Sequence, residues 1–215
     1  MIQKLLLLIA ISITLIAYIR IILTYLKTKN IKQDDITGFD LAKELTSNYD
    51  EINIVESKEI TISNFNLKRK IIRFTQKDYT SNDIFTLINT SLLGGYSILN
   101  LNKDKNLQLL NKIFPSLDYL NKSSILALLI SILTNKVGDA KIAIILLILI
   151  LIYQYLINEI TNNSKEETKE KLKKILTNKN YIILEKTQNT FISLNKLSFI
   201  TTLILLLRIV LIIIA

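Results

Sequence analysis

The sequence predicts a mainly α-helical membrane protein, with about four transmembrane or membrane-embedded helices plus a small α+β cytoplasmic domain built from two loops. Three observations carry this reading. Half of the 215 residues are apolar, and they fall in blocks rather than at the scattered positions of one water-soluble core. The cations are also grouped: of 27 Lys and Arg, 14 lie between Lys27 and Lys122 and 8 between Lys165 and Lys196. The chain contains no His and no Cys, which removes the side chains most used for catalysis and metal binding. Location is therefore better specified than chemistry.

The first block, Leu5 to Leu26, is interrupted only by Arg20 and is long enough to cross about 30 Å of hydrocarbon. This predicts transmembrane helix 1 over 5–26. A secretory signal peptide is the competing reading, since Lys4 precedes an apolar run. The run is too long for one, continues past Arg20, and no small-x-small cleavage site follows it, so an uncleaved anchor is expected. The second block, Ser123 to Leu133, is short; segment 119–137 is expected either to cross or to be re-entrant. The third, Ile142 to Ile157, is uncharged and predicts a span over 142–158. The last, Leu197 to Ala215, carries only Arg208 and predicts a span over 197–215.

Lysine- and arginine-rich loops are retained in the cytoplasm. The polar regions 27–118 and 159–196 are accordingly both expected there, with both termini outside, in a bacterial cytoplasmic membrane. The net charge of +9 then answers the positive-inside rule and the anionic inner leaflet, and no nucleic-acid partner is expected. The run Lys68, Arg69, Lys70 and Arg73, alternating with Ile71, Ile72 and Phe74, reads as a solvated strand or a lipid-headgroup contact.

Within the polar regions, Thr37 and Asp40 have the spacing of a capping box, and Leu41, Ala42 and Leu45 give the following helix an apolar side. Short β-branched runs from Glu51 to Thr75 predict two or three strands, with Ser63-Asn64 as turn-formers. Ser81-Asn82-Asp83 is a cap for a helix over 81–101, whose apolar residues are numerous enough to bury it. Gly94-Gly95 inside that helix costs about 1 kcal/mol per glycine relative to alanine, so either a close neighbour or a break in the helix is expected there. Glu166, Glu167 and Glu170 stand at helical pairing distances from Lys169, Lys171, Lys173 and Lys174, which predicts a charged, solvent-facing helix.

In this order, the pattern resembles the YugP-like family of integral-membrane neutral zinc metallopeptidases. The resemblance rests on Thr37-Gly38 with Ala42, on the stretch Ile60 to Tyr79 against a strand hairpin, and on Leu197-Ser198-Phe199 at the start of the last span. It spans nearly the whole chain. It implies a catalytic helix carrying H-E-x-x-H, two imidazoles four residues apart that hold zinc and a Glu that activates water. In the matching register that motif falls on Leu92-Leu93-Gly94-Gly95-Tyr96, where only the family's glycine, Gly95, is kept. The imidazole positions become Leu92 and Tyr96, and the base becomes Leu93. A carboxylate that completes the family's metal site is matched by Glu159.

Catalytic zinc needs about three protein ligands. Leucine has no lone pair, and Tyr96 would have to ionise from a pKa near 10. No catalytic residue, metal or cofactor is thus expected, and 81–101 is a degenerate catalytic helix. The resulting expectation is a membrane-anchored inactive relative of the peptidases, acting by protein binding or scaffolding. Its partners would be the lipid bilayer and another membrane protein or an active paralogue. Two other readings stand beside it: a peptidase or hydrolase with a non-standard oxygen-ligand metal site built from Glu159 with Asp78, Asp83, Glu166 or Glu167, and a small channel or transporter subunit using Arg20 and Arg208.

Overall fold

The computed structural model describes residues 2–28, 31, 36–60, 63–113, 123–134 and 137–214. Eight helices and three strands occur among them: α1 (Ile2–Thr28), α2 (Gly38–Thr46), β1 (Asn53–Glu56), β2 (Asn64–Asn66), β3 (Ile71–Phe74), α3 (Gln76–Thr80), α4 (Ile84–Leu101), α5 (Lys105–Ile113), α6 (Ser123–Leu133), α7 (Val137–Ile175) and α8 (Asn178–Ile214). The chain divides into two compact units, and α1, α7 and α8 contribute to both.

The first unit comprises Met1–Ile22, Tyr119–Asn158 and Phe191–Ala215. Its outward side chains are large and apolar, with Leu8 64% and Ile142 64% exposed, as a hydrocarbon solvent requires. Inside it, Ala10, Ala127, Ala140 and Ala143 pack with Leu147, Ile150, Leu205 and Ile209. Small residues let helix backbones approach closely where lipid removes any hydrophobic drive between helices. Thr14, Thr201 and Thr202 direct their hydroxyls back onto carbonyls four residues earlier, so they bring no unsatisfied donor into the apolar interior.

Longer polar side chains join the helices of this unit. Gln154 Nε2 donates to Ser123 Oγ at 2.9 Å and to Ser198 Oγ at 3.1 Å. Arg208 Nη1 donates to Ser131 Oγ at 2.8 Å and to the Ser131 carbonyl. α6 is therefore held near both ends and runs parallel to the Ser198–Arg208 stretch of α8. One turn beyond Arg208, Gln3 Nε2 donates to the Leu211 carbonyl at 3.0 Å, which sets the start of α1 beside the end of α8.

Among the described residues, four helices are long and apolar enough to cross a membrane: α1, α4, α7 from Gly138 onward, and α8. The chain is a membrane protein of mainly α structure. The sequence reading also counted four segments, but with 119–137 in the place of α4. The described part of that segment is α6, whose 11 residues rise only about 16 Å, short of the roughly 30 Å of hydrocarbon. Residues 119–122 and 135–136 lie outside the described set. α4 meets the length and composition of a span, yet it is largely buried in the second unit, where its apolar residues serve packing. The regions expected over 142–158 and 159–196 are likewise continuous in structure, because α7 and α8 run unbroken through their charged parts. No Gly or Pro interrupts 139–214.

The second unit comprises Leu23–Asp118 and Glu159–Thr190. The Thr37 hydroxyl accepts from Asp40 N at 3.2 Å while the Asp40 carboxylate accepts from Thr37 N at 3.1 Å, the predicted capping box. The sheet has order β1-β3-β2, with β1 parallel and β2 antiparallel to β3. Ser63-Asn64 does not form the expected turn. Asn64 begins β2, and buried Ser63 accepts from Thr75 N at 2.9 Å and donates to the Asp78 carboxylate at 2.5 Å. The middle predicted strand run is only partly visible, since residues 61–62 lie outside the described set.

Candidate functional site

The positions matched to the zinc-binding motif lie on α4, near the centre of the second unit. The helix begins where Asp83 accepts from Thr86 N at 2.9 Å. Fourteen of its 18 residues are buried, so it is packed on nearly every side. Leu92 is 6%, Leu93 1% and Tyr96 0% exposed.

Consecutive helical residues point about 100° apart, and the two glycines consequently meet different neighbours. A Cβ on Gly94 would lie 3.1 Å from Leu45 Cδ1 of α2; one on Gly95 would lie 2.0 Å from Ser164 Oγ and 2.5 Å from the Ser164 carbonyl oxygen of α7. α4 stays helical through both, so the glycines mark close approach and no break occurs. Ser164 Oγ donates to the Leu92 carbonyl at 3.0 Å, and Tyr96 Oη lies 3.2 Å from Thr161 Oγ1. One turn back, Gln188 Nε2 of α8 donates to Ser91 Oγ at 2.5 Å. The motif face of α4 is thus a seam of hydroxyl, amide and carbonyl contacts against α7 and α8.

Glu159 is half-buried on α7. Five residues of helix separate it from Ser164, which rotates it about 140° away from the residue that touches Gly95 and Leu92. The buried stripe of α7 is Ile157, Ile160, Thr161, Ser164, Thr168 and Leu172, and Glu159 does not belong to it. The remaining candidate carboxylates have structural duties. Asp78 accepts from the Ser63 and Thr86 hydroxyls, and Asp83 caps α4. Glu166 pairs with Lys169 at 3.3 Å, Glu170 with Lys173 at 3.0 Å, and Glu167 is exposed. Among the described residues, no three or more His, Cys, Asp or Glu gather closely enough to hold a metal ion. Arg20 is exposed, whereas Arg208 is 8% exposed and bonded to Ser131.

These residues do not fit zinc. The space beside Gly95 is taken by Ser164, the Tyr96 hydroxyl is engaged at Thr161, and two leucines supply hydrocarbon where nitrogen donors would be needed. Sequence reasoning missed Thr161, Ser164 and Gln188 as the partners of α4. The available signal was the spacing of Thr161, Ser164 and Thr168 with Ile157, Ile160 and Leu172, a polar stripe on an apolar helix face.

No curated protein and no solved structure matches the chain. A family model described as "putative neutral zinc metallopeptidase" matches residues 3–213, nearly its full length. The chain belongs to that family, as a member without a single histidine.

Proposed function

We propose that this protein is a catalytically inactive relative of the zinc metallopeptidases that acts by binding or scaffolding another membrane protein or an active paralogue. Leu92, Leu93, Gly95 and Tyr96 are the vestige of the motif, and Glu159 is the remnant of the ligand set. The region 81–101 serves as a packing helix. The polar regions 27–118 and 159–196 face the cytoplasm of a bacterium, the spans include 5–26, 142–158 and 197–215, and the termini lie outside.

One observation supports inactivity best: the motif positions are filled by a closed hydroxyl and amide seam, with Tyr96 fully buried and Ser164 against Gly95. A water poised for attack needs a metal or a base beside it, and neither Leu93 nor Gly95 provides one. The cation bias supports the orientation.

The test uses purified full-length protein in detergent. Zinc content well below one per chain, no cleavage of a denatured casein substrate, and a melting temperature unchanged by EDTA are expected. Stoichiometric zinc that EDTA removes, with cleavage lost in parallel, overturns the proposal.

A further inference from the structure

The second unit has an open, cleft-like cavity of about 670 Å³, lined by Tyr49, Glu51, Lys70, Asn100, Lys103 and Lys112 together with Leu67, Leu101 and Gln108. The size is that of a small-molecule site. Three lysines and one glutamate line it. Glu51 pairs with Lys70, and no carboxylate among the described residues pairs with Lys103 or Lys112. The lining therefore keeps an excess of positive charge.

Backbone conformation sharpens this observation. Among the described residues, the non-glycine residues with positive φ are Lys70, at 54°, and Lys103, at 56°, and both line this cavity. Lys70 closes the loop between β2 and β3. Lys103 follows the C-cap of α4, where Lys103 N donates to the Asn100 carbonyl at 3.2 Å and Asp104 N donates to the Leu99 carbonyl at 3.0 Å. That is a Schellman turn, whose left-handed position is ordinarily glycine. Two unrelated turns thus carry a lysine where glycine or asparagine is the unstrained occupant. Backbone outliers gathered at one cavity point toward function.

From this geometry we infer that the cavity binds a phosphate monoester, with Lys103 and Lys112 holding the dianion, Lys70 adding its charge beside Glu51, and the Gln108 amide contacting the group that bears the phosphate. Lysines act as point charges on phosphate, without the planar fork by which arginine pairs with carboxylate and phosphate alike. The volume leaves room beyond the phosphate for a polar group against Tyr49. The phosphate can come from a lipid headgroup or from a soluble metabolite. The site stands whether or not the α4 seam can hold a metal.

The experiment titrates detergent-solubilised full-length protein with glycerol 3-phosphate and with dihexanoyl phosphatidic acid by calorimetry. Lys103→Gly is the decisive variant, because it removes a cation while giving the turn its preferred residue. Lys112→Gln is the second. Each is expected to weaken binding roughly tenfold, with the melting temperature of Lys103→Gly equal to or above that of the parent. Equal affinity for both probes assigns the phosphate head alone, and binding of the phosphatidic acid only assigns a lipid source. Binding of neither probe, or binding that both variants leave unchanged, overturns the inference.

Discussion

Exchanging each glycine of the Gly94-Gly95 pair for alanine has opposite expected signs, although the two residues are adjacent on one helix. Alanine in a helix interior is favoured over glycine by about 1 kcal/mol. In Gly94→Ala the new methyl meets Leu45 Cδ1 at 3.1 Å, the far end of a flexible side chain. A small rotation of Leu45 offsets at most about 1 kcal/mol of the gain, so this variant should match the parent or exceed it slightly. In Gly95→Ala the methyl would sit 2.0 Å from Ser164 Oγ, 2.5 Å from its carbonyl oxygen and 2.8 Å from its Cα. Two of those atoms are backbone, and no rotamer change removes them. α4 and α7 must separate, at about 1–3 kcal/mol for overpacking, and the Ser164 bond to the Leu92 carbonyl is lost, at about 1 kcal/mol more. After the helix-propensity gain is subtracted, Gly95→Ala is destabilised by about 1–3 kcal/mol. The variants should therefore differ by roughly 2 kcal/mol, or roughly 4–8 °C in melting temperature for a chain of this size. Thermal unfolding followed by circular dichroism in one detergent measures the difference. Equal melting temperatures would refute the close approach of α4 and α7.

Three further outcomes follow from local geometry. Thr37→Ala removes the side chain that caps α2 and should cost about 1 kcal/mol; because Thr37 and Asp40 act on each other, the double variant with Asp40→Ala should cost less than the sum of the singles in a double-mutant cycle. Gln188→Leu deletes the donor to Ser91 Oγ in a buried setting, and denaturant titration should show a loss of about 1 kcal/mol. Arg208→Met should loosen the C-terminal end of α6, where the guanidinium serves Ser131. The loss should be about 1 kcal/mol, with Ser131→Ala losing less because the carbonyl bond survives; equal effects of the two would show that the carbonyl contact contributes nothing.

Local signals were legible because they involve residues three or four apart. Thr37 and Asp40 form the box their spacing predicts, Asp83 caps α4, and the Glu166–Lys169 and Glu170–Lys173 pairs form on α7. Gly94-Gly95 announced a close neighbour without saying which. Two helices were overlooked although they carried signals. Thr75 and Asp78 repeat the spacing of Thr37 and Asp40 ahead of α3, and Asp104 followed by Leu107 and Leu110 marks α5. What the sequence could not supply was pairing across distance. Tyr96 with Thr161, Leu92 with Ser164 and Ser91 with Gln188 join residues 65 to 97 positions apart, and no periodicity encodes them. Nor does composition separate α4, apolar and enclosed by protein, from α1, apolar and left largely uncovered by the rest of the chain.

The alanine seam of the first unit has a practical consequence for anyone handling the protein. Cohesion among Ala10, Ala127, Ala140 and Ala143 depends on dispersion at short range, of which a gap of roughly 0.5–1 Å forfeits a quarter to a half. Detergent monomers that insert between the backbones compete for those same contacts. Bulky, long-chain amphiphiles or nanodiscs should preserve the bundle, and short-chain detergents should pry it open while leaving the helices themselves wound.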